Sequence, residues 1–186
     1  MRSPGAPGTP GTIHRNGFVA YLCAGATDVE VRIVGGISVT LLPLLREGRI
    51  DFALGEIPPD LKDKQIRTFP LWRNERVIVG RRGHPLCNAK SLNELAGADW
   101  IIRSGSEEIP RGSPGQMVAD LFVANGLAPP RSVVRCGDSG LFLSLLAQSD
   151  MLSTMDLLQL NSPIIRDHLQ PINLKAGKEK FAAIPA

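Results

Sequence analysis

The feature that most constrains this chain is a repeated order of segments. A short run rich in β-branched residues is followed by a turn of glycine or hydroxyl residues, then by a stretch of helical period. It is densest in "SVVRCGDSGLFLSLLAQSDMLST" (132–154). Residues 132–136 read as a strand, 139–148 as a helix and 151–154 as a second strand. Asp138 or Ser139 is placed to cap the helix, and Leu141, Phe142, Leu145 and Leu146 supply its apolar face.

The same order recurs upstream. "VEVRIVGG" (29–36) alternates and then ends in two glycines, which predicts a strand running into a tight turn. "ISVTLLPLLREG" (37–48) predicts a helix with Ser38 at its N-cap and Gly48 as its stop, Pro43 falling in the first turn or two. "RIDFALG" (49–55) follows as a strand, and strand–helix–strand with short joints implies a parallel crossover. Arg76 to Gly80 is a further strand, and "SLNELAG" (91–97) matches a capping box with Ser91, Glu94 and a closing Gly97. "DWII" (99–102) reads as a strand, "RSGSEEIPRGSPG" (103–115) as a loop, and "QMVADLFVANG" (116–126) as a helix closed by Gly126. "LQPINL" (169–174) and "KFAAI" (180–184) read as closing strands.

Two α/β series joined at "DWII" predict a two-lobed α/β domain with a cleft at the joint. Residues 29–101 are expected to form the first lobe, 102–168 the second, and 169–186 a return to the first. Residues 1–28 stand apart as an atypical N-terminal segment. Gly, Pro, Ser and Thr dominate 1–16, which cannot bury enough to offset their ordering entropy. Ligands in such folds sit beyond the carboxyl ends of parallel strands, against helix N-termini.

Composition excludes several classes. A net charge of +3 and 5% aromatic residues are poor material for nucleic-acid binding. Cys23, Cys87 and Cys136 are far apart and odd in number, which argues against a disulfide framework or a zinc site. No apolar run approaches the ~20 residues that span a bilayer, and the first residues lack the apolar core of a secretory signal. A cytoplasmic protein without membrane association is the expectation.

"GDSG" (137–140) is the tetrapeptide that surrounds the nucleophile of trypsin-like proteases. A nucleophilic Ser139 would need a histidine base. His14 lies in the loose tail, His84 precedes a proline and His168 falls near a helix end. None is set as a base, and a strand-to-helix joint is not the protease context. The alternative is a helix N-terminus able to hold a carboxylate, although the carboxylate of Asp138 competes for that place. Ser104, Gly105 and Ser106 offer hydroxyls and bare backbone just past "DWII". "GGIS" (35–38) is a second glycine turn into a helix, but neither a P-loop nor a dinucleotide fingerprint. "RRGHP" (81–85) reads as a solvated turn. No catalytic, cofactor or metal-binding set emerges.

Three segments carry a resemblance. "LLREGRIDFALGEIP" (44–58), "FPLWRNERVIVGRRGHPL" (69–86) and "SLNELAGADWII" (91–102) resemble, in order and spacing, stretches of LysR-type transcriptional regulators. The resemblance covers about residues 29–160 and runs more thinly to about 184. It implies the effector-sensing domain, a fold similar to periplasmic binding proteins, with two α/β lobes, a two-strand hinge and a cleft for a small, anionic metabolite. The family's ligand contacts fall near Ser38, Gly55, Glu56, Ser104, Ser106, Asp138 and Ser139, which coincide with the candidates read from the residues. Gly105 lies among them. A dimer or tetramer is implied, and DNA contact only through a winged helix-turn-helix that has no counterpart in this chain. The first strand and helix of the sensing domain also lack a counterpart in 1–28, so the domain is expected to be truncated. A transport-type solute-binding protein is the alternative with the same architecture, and a serine hydrolase the third reading.

Overall fold

The computed structural model describes residues 30–36, 38–55, 57, 61–70, 75–104 and 113–174. Helix α1 spans Ser38–Arg46 with Pro43 in its second turn. It stops as its residues predict. The Arg49 amide donates to the Leu44 carbonyl (2.9 Å) and the Gly48 amide to Leu45 (3.1 Å), with Gly48 at φ 65°. That is a Schellman ending, which needs a residue at ease in the left-handed region. Arg46 Nε then reaches Asp63 Oδ2 at 2.6 Å, tying the end of α1 to the segment beyond it.

Five strands follow among the described residues. β1 is Arg76–Arg81, β2 Trp100–Arg103, β3 Ser132–Cys136, β4 Ser153–Asp156 and β5 Leu169–Pro171. Strand β1 pairs antiparallel with β4 on one side and β5 on the other. Strands β2 and β3 pair in parallel. A parallel bridge from Trp100 to Leu152, with the Ile101 amide donating to Leu152 (2.9 Å), joins the two sets. The strand order across the joined sheet is therefore β3, β2, β4, β1, β5. Between them run a 3-10 helix (Leu92–Leu95) and helices α2 (Pro114–Ala124), α3 (Ser139–Gln148), α4 (Leu157–Leu160) and α5 (Pro163–Arg166).

Side chains alternate across a strand, and here both faces are covered. Ile78, Trp100, Ile102 and Leu152 point to one side, where Leu92 and Leu95 of the 3-10 helix and Val118, Leu121 and Phe122 of α2 meet them. Val79, Ile101, Met155 and Leu169 point to the other, against Phe142 and Leu146 of α3, Leu160 and Ile165. Each fully buried side chain of this kind contributes about 1.5–3 kcal/mol. Trp100 is wholly buried and meets Phe122 edge-on, ring centres 5.7 Å apart at 90°.

Several expectations differ from this arrangement. Residues 30–36 and 49–55 enter no described ladder, and Ile33 is 71% exposed. An alternating sequence becomes a strand only when its amides find a neighbouring backbone, and here the Arg32 side chain, not its amide, reaches Arg49 O. "DWII" does not cross between sheets: Trp100–Arg103 lies inside one, between β3 and the Leu152 bridge. β1, expected before a boundary at 101/102, and β2, which that boundary divides, both pair with strands after it. The strand read at 151–154 begins two residues later, because its partner β1 sets the register Val79 to Ser153 and Arg76 to Asp156. The helix read at 91–97 is a 3-10 helix in which the Glu94 carboxylate accepts from Ser91 Oγ (3.0 Å) and the Lys90 amide (3.2 Å). "KFAAI" and residues 1–28 lie outside the described residues.

His84, read as part of a solvated turn, is 2% exposed. Its Nδ1 accepts from the Leu86 amide (3.0 Å), so Nε2 carries the proton and donates to Asp150 O (3.0 Å). The ring lies over Gly80, where an added Cβ would fall 2.9 Å from His84 Cδ2. Gly80→Ala is expected to destabilise the chain by about 1–3 kcal/mol through overpacking; an unshifted urea midpoint would contradict this. The Arg46 hydrogen bond, with the Gln65 amide, holds the Asp63 carboxyl below the usual carboxylate range. A lowered folded-state value means that this contribution is present above the unfolded carboxyl pKa and lost as pH falls through the folded one. An NMR titration of the Asp63 side-chain carbonyl should show the lowered midpoint, and Arg46→Gln should raise it.

Candidate functional site

The candidate site follows from parallel pairing. Two parallel strands end on the same edge, so the residues after β2 and β3 emerge side by side. Arg103 pairs with Cys136, and the next amide, Ser104 N–H, donates to Cys136 O (3.1 Å). Beyond Cys136 the chain bends through Gly137 into α3. The Cys136 thiol donates to Asp138 O (3.2 Å), which also accepts from the Phe142 amide (3.0 Å). Asp138 caps α3, its Oδ1 accepting from the Leu141 amide at 2.7 Å.

Three of the sequence-derived candidates thus assemble on one edge: Ser104, Asp138 and Ser139. The Ser139 and Gly140 amides open the helix, where no intrahelical acceptor exists, and the helix dipole points positive charge outward. The Asp138 carboxylate occupies part of that place, as its competing charge suggested. Gly140 does not owe its identity to crowding, since a Cβ there would sit 3.4 Å from Asp138 Oδ1, ordinary contact. Ser38 begins α1 and Gly55 lies in a bend with open space around its Cα, both on the leading segment rather than on this edge. Glu56, Gly105 and Ser106 lie outside the described residues.

The described histidines sit elsewhere. His84 is committed to Leu86 and Asp150, and His168 lies in the turn between α5 and β5, its carbonyl accepting from the Arg82 amide. Neither stands beside Ser139. Among the described residues no cluster of three metal-ligating side chains forms, and no helix is long and apolar enough to cross a membrane. A hollow of about 440 Å³ opens beside β5, and none of its residues stood out in the sequence as a ligand group. They are an arginine of the turn after β1, others from the helices and edge strand, and they meet only through the fold.

A sheet covered on both faces, with polar residues at the carboxyl edge of its parallel pair, is an architecture common among ligand-binding α/β proteins. Solved structures share it. The effector binding domain of BenM with its effector benzoate superposes with a TM-score of 0.63 at 18% identity, over 89% of this chain and 73% of that one. The effector binding domain of QuiR in complex with shikimate gives 0.63 at 17%, over 90% and 78%. The fold is the two-lobed α/β fold of periplasmic-binding-protein type.

Residues 5–179 match the LysR substrate binding domain, and the chain belongs to that family. It is 35% identical over 160 residues to the HTH-type transcriptional regulator GalR of Pseudomonas putida, covering 83% of this chain and 38% of that protein. It is 26% identical over 160 residues to the regulator GbpR of Rhizobium radiobacter, covering 85% and 47%. The chain spans less than half the length of these curated relatives.

Replacing Asp138 separates its cap from its charge. Asp138→Ala should cost about 0.5–2 kcal/mol, whereas Asp138→Asn, an equally good cap, should cost little; denaturant unfolding of the two variants checks it.

Proposed function

We propose that this chain is the effector-sensing part of a LysR-type transcriptional regulator, and that it binds a small anionic metabolite at the carboxyl edge of β2 and β3. The observation that carries the reading is the hydrogen bond from Ser104 to Cys136, which sets the residue after β2 beside the segment that leads into α3. Ser104 and Ser106 would supply hydroxyls and the opening amides of α3 a dipole. Ser38, Gly55 and Glu56 would approach from the other lobe, and Gly105 would let the loop backbone come close. Binding would make and break no covalent bond. It would bias lobe closure, and through it the arrangement of a dimer or tetramer whose DNA contacts lie in another domain. A cytoplasmic location follows from that role.

Strand pairing also supports a revised division of the chain. Residues 75–171 contain all five strands of the sheet and are assigned to the second lobe, with the hinge crossings on either side of them. The effector names of relatives frame the ligand class: benzoate and shikimate, bound by BenM and QuiR, are both small carboxylates.

Calorimetry with a panel of small carboxylates tests the site. A carboxylate that binds should lose about tenfold in affinity on Ser104→Ala, the value of one hydrogen bond to a charged group. Unchanged affinity in that variant would count against this edge as the binding place.

A further inference from the structure

The hollow beside β5 has the composition of a second ligand site. It is open to solvent and measures about 440 Å³, within the range of small-molecule sites. Leu160 and Leu169 lie beneath it, almost wholly buried, and the surface it presents is mostly polar. Its rim carries Arg82 and Arg166 together with Asn161 and Asn173, and no carboxylate stands among its described lining residues.

The two arginines are arranged rather than merely present. Arg82 Nε and Nη2 both donate to the Arg166 carbonyl oxygen, the Nε bond at 2.9 Å. That double contact fixes the plane of the guanidinium at the rim and uses two of its five N–H groups. The rest keep the fork geometry that suits a carboxylate or phosphate. Arg166 sits beside it, its Nε 3.8 Å from Asp167 Oδ1, too far for a hydrogen bond and with both side chains largely exposed. A contact of that kind is worth little and leaves the cation able to take another anion. Both cations line the same hollow, where an anion could meet the two of them. The amides of Asn161 and Asn173 both donate and accept, as neighbouring hydroxyl groups require.

We propose that this hollow binds a small hydroxylated anion, with a carboxylate or phosphate group between Arg82 and Arg166 and its hydroxyls against the asparagines. β5 and β3 are the opposite edges of the sheet, so this site is separate from the Ser104 edge and does not rest on the effector reading. It would give the domain a second input.

The test is a two-dimensional NMR titration of the 186-residue chain with gluconate, glucose 6-phosphate and, as neutral control, glucose. Saturable shifts are expected at Arg82 Nε and the side-chain amides of Asn161 and Asn173. The two anions separate a carboxylate from a phosphate preference, and glucose should shift nothing. Arg166→Gln, which keeps the carbonyl that holds Arg82, should weaken binding about tenfold. Asn161→Ala should weaken it less, and Ser104→Ala should leave it unchanged. Glucose binding as well as gluconate, affinity undiminished in Arg166→Gln, absence of shifts at the rim, or shifts confined to the Ser104 edge would each overturn the proposal.

Discussion

The structure depends on one strand being buried on both faces at once. Trp100 and Ile102 of β2 point into the core beneath α2, while Ile101 points into the core beneath α3. Because successive side chains leave a strand in opposite directions, no single layer could cover all three. The backbone of β2 is committed as well, to β3 on one side and to Leu152 on the other. Ser153 Oγ adds a buried bond to Ile101 O at 2.7 Å, fastening β4 to the same strand.

From that constraint the candidate site follows almost without freedom. A parallel neighbour for β2 must return by a crossover, and α2 is that crossover. Once β3 lies parallel, its carboxyl end has to emerge beside Ser104, and α3 must start there. Ser104, Asp138 and Ser139 gather at this edge because the sheet beneath them is filled. The antiparallel strands β4, β1 and β5 make no such shared edge. Their contribution is a rim of separate turns and short helices, from which the hollow around Arg82 and Arg166 is built.

Local chemistry was legible in the residues wherever it is self-contained. Gly48 and Gly126 end their helices with Schellman bonds, because a left-handed residue is needed there and glycine supplies it. Asp138 caps α3 as its place before an apolar helical run demands. Ser113 and Pro114, which open α2 two residues before the stretch read as helical, form an ordinary cap and first turn. What escaped was anything requiring a partner from afar. His84 looks like a turn residue, yet its ring packs on Gly80 and bonds to Asp150, some 66 positions away. Residues 30–36 and 49–55 have strand-like composition without a described ladder to join. The short helices α4 and α5, four residues each, are below the length at which periodicity can speak.

By itself the sequence determined the class of fold, the family, the glycine stops of α1 and α2 and the cap of α3. Those properties reside in spacing and in residue types that act over one or two turns. Only the tertiary structure decided which strands neighbour one another, that β1 and β2 share a sheet with β3 to β5, that His84 is buried, and that Arg82 and Arg166 meet. Strand order is a matter of backbone hydrogen bonds between distant segments, and every apolar strand offers the same donors and acceptors to any neighbour. The choice among them is made by how two helical layers can close over both faces of the sheet together.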